Sequence, residues 1–501
     1  MNHTIQKIKL DAKVEAFLNK SPKKLFIGGQ FVESISGKSF KSINPATGEV
    51  LCEVYEAGEQ DIDRAVDEAE KAFHGPWSKM SASDRSRLIW KLADLIEENL
   101  EAIAQLETLD NGKPIRETRN ADIPLVIDHF RYYAGWVNKF SGEVINNSMH
   151  PNVFTYTRRE PIGVCGQIVP WNFPLLMASW KLGAALATGN VVILKSAENT
   201  PLSVLFLAEL IQQAGFPEGV VNIVSGYGHR IGTAMTNHPR IRKIAFTGST
   251  EVGKSIMRDA SKYLKRVTFE LGGKSPNIIF PDADFSKAIP GALRSIFFNQ
   301  GQVCTAGSRL YIHKKIYDRF LSDMADQAAK LKVGPGIEEE TQVGPLVSAK
   351  QFETVRGYLE KGKQEGARPI TGGTTIEGSG YFIPPTIFTD VTDEMTIARE
   401  EIFGPVVSAM PFDDDEQMTD VIRRANESEY GLAAGVWTTD VRKAHKIAHA
   451  LEAGTVWVNC YNLFDATMPF GGFKQSGFGR EMGRSALEMY TEVKSVWVDL
   501  D

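Results

Sequence analysis

The fold of this chain is decided by four short apolar segments: GVCGQIV at residues 163–169, NVVILK at 190–195, GVVNIVSG at 219–226 and KIAFTGS at 243–249. Amphipathic stretches such as residues 201–214 separate these segments. Short strands that alternate with helices are typical of βαβ units, which build a parallel sheet with helices on both faces. The sequence therefore predicts an α/β domain around them.

A second alternation of the same kind follows Glu270. The strand-like segments SPNIIF at residues 275–280 and SRLYIH at 308–313 are each followed by a predicted helix. Two successive α/β units predict two Rossmann-like, open-sheet domains around one cleft. Residues 145–158 are predicted to be extended, and YTEVKSVWVDL at residues 490–500 alternates like a single strand. Such a strand must pair with another element, for example in a second subunit.

Composition narrows the class of protein. The 501 residues include 56 Lys or Arg and 62 Asp or Glu, so the formal net charge is −6. A general nucleic-acid-binding protein needs a basic surface, and we expect no nucleic-acid partner. The chain has only four cysteines, which are too few and too scattered for a disulfide framework: Cys52, Cys165, Cys304 and Cys460.

Neither a targeting segment nor a membrane span is predicted. Residues 1–20 contain acids and lack the apolar region of a secretory signal. Residues 161–180 carry no charge over a length that could cross a bilayer, but Pro161, Pro170 and Pro174 interrupt them. We therefore expect a strand, an irregular turn and a buried helix there, in a cytoplasmic protein without a membrane partner.

Two glycine-containing turns point towards nucleotide binding. GSTEVGKS at residues 248–255 matches the phosphate-loop pattern. Glu251 lies within this segment and would repel phosphate. A strand-to-helix turn beside a dinucleotide is therefore the favoured alternative. GYGHRIG at residues 226–232 is one residue too long for the dinucleotide fingerprint. Lys195 and Glu198 follow a predicted strand and could bind an adenosine ribose, or could be solvated loop charges.

The histidines provide one pair with metal-ligand spacing. His445 and His449 are four residues apart on a predicted helix. Lys446 stands where a metalloprotease has its glutamate, and no third ligand is evident. We therefore predict an exposed helix face and no metal site.

One cysteine and one glutamate are candidates for chemistry. Cys304 lies in FFNQGQVCTAGSR, at residues 297–309, among polar residues and glycines, whereas a typical lone cysteine is buried and inert. A thiol nucleophile needs a base, because few thiols are ionised at neutral pH. Glu270 ends a predicted strand and precedes two glycines, so it is a candidate base, with a capping or surface role as the alternative.

Taken together, the motifs resemble the aldehyde dehydrogenase superfamily over nearly the whole chain. Six of them occur in the order and spacing of that family, and the sequence is most similar to its broad-specificity, NAD-linked, class 1/2-like members. The motifs are PWNFP (170–174), FTGSTEVG (246–253), FELGGKSPN (269–277), FFNQGQVCTAGSR (297–309), EEIFGPV (400–406) and PFGGFKQSGFGRE (469–481).

The resemblance implies NAD-dependent oxidation of an aldehyde to a carboxylate. Cys304 would attack the aldehyde carbon, and Asn172 would form the oxyanion hole with the backbone N–H of Cys304. Hydride transfer to NAD would leave a thioester, and Glu270 would activate water to hydrolyse it. Lys181 and Glu481 match positions proposed to relay protons from Glu270.

The resemblance also implies a cofactor site. Lys195 and Glu198 would hold the adenosine ribose, and Glu198 would repel a 2′-phosphate, which favours NAD over NADP. The other implied cofactor-binding residues are Ile168, Pro170, Trp171, Gly228, Phe246, Gly248, Ser249, Val252, Leu271, Glu401 and Phe403.

The implied substrate funnel is mainly apolar, which suits an aliphatic or aromatic aldehyde. A betaine-aldehyde-type substrate is the alternative, and a structural or binding protein that keeps the fold is an alternative of another class. The implied pocket residues are Phe173, Met177, Trp180, Phe298, Val303, Thr305, Phe464 and Phe470.

The resemblance implies three regions in the chain. Residues 1–142 and 162–271 would form the NAD-binding domain, and residues 272–471 the catalytic domain. Residues 143–161 and 487–501 would form a small β element that bridges subunits. A homotetramer, arranged as a dimer of dimers, is the expected assembly.

Overall fold

The computed structural model describes residues 10–413 and 417–501. The first nine residues, part of the segment for which no targeting signal is predicted, lie outside this range. The first sheet has seven strands, of which the first five below are mutually parallel and the last two form an antiparallel hairpin. In spatial order they are Arg266–Glu270, Lys243–Thr247, Val164–Ile168, Val191–Ser196, Val221–Ser225, Leu25–Ile27 and Gln30–Val32.

The second sheet also has seven strands and is parallel except at one edge, where the first strand below runs antiparallel to its neighbour. Ile278 and Phe280 pack on one face of this sheet and Ile279 on the other, as the alternation of a strand requires. In spatial order the strands are Arg368–Thr371, Thr386–Thr389, Val406–Phe412, Arg309–His313, Pro276–Ile279, Ala433–Trp437 and Thr455–Val458.

Three small antiparallel sheets complete the strand content of the described residues. The largest joins Thr491–Asp499 to Val153–Pro161 and then to Val144–Ile145. Two ribbons pair Ser39–Ile43 with Val50–Tyr55, and Tyr430–Gly431 with Phe473–Lys474.

Helices cover both faces of the two large sheets. Shorter helical turns join them, including one at Gly228–Gly232. The helices of eight residues or more are Ala12–Asn19, Glu59–His74, Ala82–Glu98, Leu100–Asn111, Ile123–Ala134, Pro174–Ala187, Leu202–Ala214, Thr250–Ala260, Phe285–Phe297, Tyr317–Ala328, Ala349–Gln364, Thr419–Asn426 and Val441–Ala450.

The uncharged stretch at residues 161–180 folds as the sequence predicts. It contains the buried strand Val164–Ile168, an irregular turn and the start of the buried helix Pro174–Ala187. In residues 10–413 and 417–501, none of the helices has the length and apolar character needed to cross a membrane.

Candidate active site

Of the three residues predicted to carry the chemistry, two lie at the carboxyl ends of parallel strands in the first sheet, and the third lies before a strand of the second sheet. Asn172 follows the strand Val164–Ile168, Glu270 is the last residue of its strand in the first sheet, and Cys304 precedes the strand Arg309–His313 of the second sheet. Open α/β sheets bind ligands beside the carboxyl ends of their strands. All three residues line one cavity of about 490 Å³ between the two sheets.

Most of the predicted site residues line this cavity. They are Pro170, Trp171, Asn172, Phe173, Met177, Trp180, Gly248, Ser249, Glu270, Leu271, Phe298, Val303, Cys304, Thr305, Glu401, Phe403, Phe464 and Phe470. Eight others lie outside its lining, namely Ile168, Lys181, Lys195, Glu198, Gly228, Phe246, Val252 and Glu481. Lys181 and Glu481 are buried behind the cavity, and Val252 lies exposed on the helix that follows Ser249.

Cys304 is half-buried in the loop that follows the helix Phe285–Phe297. Gly273 lies against it so closely that a Cβ there would come within 2.3 Å of the Cys304 carbonyl oxygen. Burial, and then the carboxyl groups of Glu401 and Glu270, raise the pKa of the Cys304 thiol to about 12. The resting sulfur is therefore protonated at neutral pH and needs a base to become a nucleophile.

Glu270 has the features of a general base. Its side chain is buried, and its Oε2 has no hydrogen-bond partner among the residues that the structure describes. Burial, followed by the nearby carboxyl group of Glu481, raises the pKa of Glu270 well above its ordinary value, against the opposing charge of Lys181. A carboxylate with a raised pKa accepts a proton more readily near neutral pH than an ordinary one.

A buried ion pair lies behind Glu270. Lys181 Nζ donates a hydrogen bond of 2.6 Å to Thr247 Oγ1 and forms an ion pair with Glu481. Thr247 pairs in register with Glu270, between the edge strand Arg266–Glu270 and its neighbour Lys243–Thr247. This arrangement brings the three predicted proton-handling residues into one group, with Thr247 as a member that the sequence had not indicated.

Hydrogen bonds connect Asn172 to the loop that carries the nucleophile. Asn172 Nδ2 donates to the Gln302 carbonyl oxygen at 2.9 Å, and Asn299 Nδ2 donates to the Asn172 carbonyl oxygen at the same distance. Asn111 Nδ2 donates to the Trp171 carbonyl oxygen at 2.7 Å. Asn111 and Asn299 were not predicted, and they hold the backbone on both sides of the Asn172 side chain.

Two buried carboxyl groups accept hydrogen bonds from the first turns of two helices. Glu107 accepts a hydrogen bond from the backbone N–H of Leu175, in the first turn of the helix Pro174–Ala187, at 3.2 Å. Asp110 accepts one from Leu202 N at 2.9 Å. Carboxyl oxygens near helix N-termini satisfy backbone N–H groups that have no partner within the helix. The helix that carries Met177, Trp180 and Lys181 is thereby anchored.

The predicted ribose-binding pair is formed at the end of the strand Val191–Ser196. Lys195 Nζ lies 3.2 Å from Glu198 Oε2, and the backbone N–H of Gly228 also interacts with Glu198. Burial acts to raise the pKa of Glu198, but Lys195 and the backbone N–H groups outweigh it, so the pKa is lowered. Glu198 therefore presents a negative charge at neutral pH.

The KIAFTGS segment forms the strand-to-helix turn that the sequence favours over a phosphate loop. The strand Lys243–Thr247 leads through Gly248 to Ser249, whose Oγ accepts a hydrogen bond from Val252 N in the first turn of the next helix. Lys254 and Glu251 are exposed on that helix.

Glu401 and Phe403 line the cavity and precede the strand Val406–Phe412 of the second sheet. Gly273 N donates to Glu401 Oε1 at 2.8 Å, and burial raises the pKa of Glu401 to about 7. The rings of Trp171 and Phe403 meet edge to face at 5.1 Å between centroids. Glu401 therefore bridges the loop after Glu270 and the cavity wall.

Aromatic rings make up much of the remaining lining of the cavity. Phe173 stacks on Phe298 at 6.1 Å, and Trp180 contacts Phe470 at 5.2 Å and Phe464 at 6.1 Å. Asn462 also lines the cavity. Several further lining residues were not predicted, namely Asn120, Ala121, Asp122, Pro124, Leu125, Asp128, Leu176, Thr247, Gly272, Arg294, Gln351 and Leu463.

The helix Val441–Ala450 carries the histidine pair with metal-ligand spacing. The His445 and His449 rings lie 6.1 Å apart between centroids. In the part of the chain that the structure describes, no group of three or more His, Cys, Asp or Glu side chains is placed to hold a metal ion.

The fold and the cavity together define an enzyme that holds a cysteine and a buried glutamate between two sheets of mainly parallel strands. The sequence profile of the aldehyde dehydrogenase family matches residues 31–496. The chain belongs to this family. The resemblance inferred from the six motifs and the predicted α/β class with two open-sheet domains are therefore confirmed.

Three relatives show how close the similarity is. "Putative aldehyde dehydrogenase DhaS" of Bacillus subtilis (strain 168) is 61% identical over 490 residues, which are 98% of each chain. The mitochondrial aldehyde dehydrogenase of Rattus norvegicus is 52% identical over 487 residues, 97% of this chain and 92% of the relative. A solved NAD+ complex of an aldehyde dehydrogenase from Bacillus cereus has a TM-score of 0.96 and 56% identity, covering 99% of this chain and 100% of the other.

Proposed function

We propose that the protein oxidises apolar aldehydes to carboxylates with NAD, through a covalent intermediate on Cys304. The observation that carries this proposal is the shared cavity, whose lining contains Cys304, aromatic rings and Glu270, and the Oε2 of Glu270 has no hydrogen-bond partner among the described residues. The relative from Bacillus cereus was solved as an NAD+ complex, which supports NAD as the cofactor.

The first half of the reaction uses Cys304 and Asn172. The sulfur gives its proton to solvent water and adds to the aldehyde carbon, so that the carbonyl oxygen becomes an oxyanion. Asn172 Nδ2 has two hydrogens and donates one to Gln302, which leaves the other for the oxyanion. When bound, NAD would supply the acceptor for the hydride of the former aldehyde carbon, and Cys304 would hold the oxidised substrate as a thioester.

The second half uses Glu270. Its carboxylate takes a proton from water while the water oxygen attacks the thioester carbon. The carbon–sulfur bond then breaks, which releases the carboxylate product and returns Cys304 to its free form. Lys181, bonded to Thr247 beside Glu270 and paired with Glu481, would carry the proton away from the cavity.

The residues present fit a dinucleotide. Lys195 and Glu198 offer a cation and a carboxylate to the two hydroxyls of a ribose, and Ser249 begins a helix whose N-terminus favours phosphate. Glu401 and Phe403 would hold the nicotinamide end. The negative charge of Glu198 would repel the 2′-phosphate of NADP, and we therefore propose a preference for NAD.

The test follows NADH formation by the purified protein with acetaldehyde, hexanal, benzaldehyde and betaine aldehyde. We expect turnover of the apolar aldehydes, and Cys304→Ala to abolish it while NAD still binds. Cys460→Ala is the matched control, because Cys460 is also a free and half-buried thiol but lies outside the cavity lining. A preference for betaine aldehyde would favour that substrate class. NAD binding without any turnover would favour a structural or binding role.

We further propose assembly through the three-stranded sheet, as a homotetramer built from dimers. This sheet exposes apolar side chains that a soluble chain would be expected to cover, among them Val144 at 70% and Trp497 at 62% exposure. The strands Val144–Ile145 and Thr491–Asp499 are its two edges, at which pairing with another chain is possible. A cytoplasmic location stays a prediction from the sequence.

A further inference from the structure

One cation lines the cavity that contains Cys304. Arg294 lies on the helix Phe285–Phe297, one helical turn before Phe298. Its guanidinium carbon is 5.9 Å from the centroid of the Phe298 ring. Arg294 is exposed, and no ion pair joins it to a carboxylate in residues 10–413 and 417–501. Its charge is thus available to a molecule that enters the cavity.

Two aromatic residues of the cavity lining connect the segment of Asn172 with this cation. Asn172 is bonded to the Cys304 loop, Phe173 follows it, and the Phe173 ring stacks on Phe298. Arg294 packs on the same Phe298 ring. An aldehyde bound with its carbonyl carbon at Cys304 would therefore run along two aromatic rings before its far end reaches the guanidinium.

Two aspartates also line the cavity, and their charges oppose that of Arg294. Asp122 is buried and already paired with Lys113, so its charge is compensated within the protein. Asp128 is exposed on the helix Ile123–Ala134 and forms no ion pair among the described residues. Asp128 would favour a cationic substrate, whereas Arg294, held on Phe298, offers a planar group that can bind a carboxylate with two hydrogen bonds.

We propose that Arg294 is a specificity-determining residue that binds the anionic end of aldehydes carrying a carboxylate beyond a hydrocarbon chain. This inference rests on the proposed aldehyde oxidation and names a substrate class for the same cavity. The hydrocarbon portion would lie against Phe173 and Phe298, and the carboxylate would lie at the guanidinium.

The test compares 6-oxohexanoate with hexanal, which has the same chain length and no charge. For the wild-type protein and Arg294→Gln, the ratio of kcat/KM for 6-oxohexanoate to that for hexanal is measured at low and at high salt. We expect Arg294→Gln to lower this ratio about five- to thirty-fold. This fold-change lies between the loss expected for an exposed ion pair and that expected for a charge-assisted hydrogen bond. High salt should lower the wild-type ratio and leave the variant ratio nearly unchanged.

Arg319→Gln is the matched control. Arg319 is also an exposed arginine whose guanidinium lies over a phenylalanine ring, 5.2 Å from the centroid of Phe285, but it does not line the cavity. The control should keep the wild-type ratio. The thermal unfolding midpoint of each variant shows whether a loss of activity comes from a loss of folding.

The possible outcomes separate this inference from the proposed function. If neither aldehyde is oxidised by the wild-type protein, the proposed function itself fails for these substrates. If both are oxidised and Arg294→Gln leaves their ratio unchanged, the inference about Arg294 is wrong while the proposed function stands. The inference is also wrong if the wild-type protein oxidises betaine aldehyde with a higher kcat/KM than 6-oxohexanoate and Asp128→Asn removes this preference. That result would indicate a site for a cation.

Discussion

Replacing Glu270 with Gln should separate the two halves of the proposed reaction. Gln has nearly the same size and shape, and Glu270 Oε2 has no partner in the described structure whose loss would disturb the fold. The amide cannot take a proton from water. Thioester formation should therefore continue, whereas hydrolysis should lose the contribution of a positioned base, a factor of about 10²–10⁴.

The assay is rapid mixing of the variant with NAD and hexanal, followed by NADH absorbance. We expect a burst approaching one NADH per active site and then a steady rate about 10²–10⁴ times below that of the wild type. Cys304→Ala should show no burst, because no thioester can form. A Glu270→Gln variant that keeps more than a tenth of the wild-type steady rate would refute the assignment of Glu270 as the base.

The pH dependence provides a second check on Glu270. Its pKa is raised well above the ordinary value, chiefly by burial, and a protonated carboxyl group cannot act as a base. Thioester hydrolysis by the wild type should therefore be slow below the folded-state pKa of Glu270 and should rise as pH increases through it. The variant should lack this rise. An identical pH profile in both proteins would contradict the proposed role.

Two further predictions concern the cofactor and the assembly. Glu198→Gln should raise kcat/KM for NADP relative to NAD by about tenfold, because it removes a charge that repels the 2′-phosphate; an unchanged ratio would assign the preference to other residues. Light scattering should give a mass of four chains, and Trp497→Lys, which places a charge on the exposed face of the three-stranded sheet, should lower that mass. A monomeric wild-type protein would contradict the proposed tetramer.

Local sequence pattern was sufficient for the α/β class and for the five parallel strands of the first sheet, but it indicated only two of the seven strands of the second sheet. Segments such as NVVILK are short, apolar and separated by amphipathic helices, so their periodicity alone indicates buried parallel strands. The motif around Cys304 and the glutamate before two glycines were visible for the same reason, because each lies within a few residues of sequence. The family resemblance connected them into one site.

The tertiary structure decided which distant residues complete the site. Asn299 is only five residues from Cys304, but its bond to the Asn172 carbonyl oxygen spans 127 positions of sequence. Asn111, Glu107 and Arg294 carry ordinary helical patterns that do not indicate a role at a cavity. Their contribution depends on how two sheets and their helices pack, and side-chain periodicity within one element contains no information about which other element it will face.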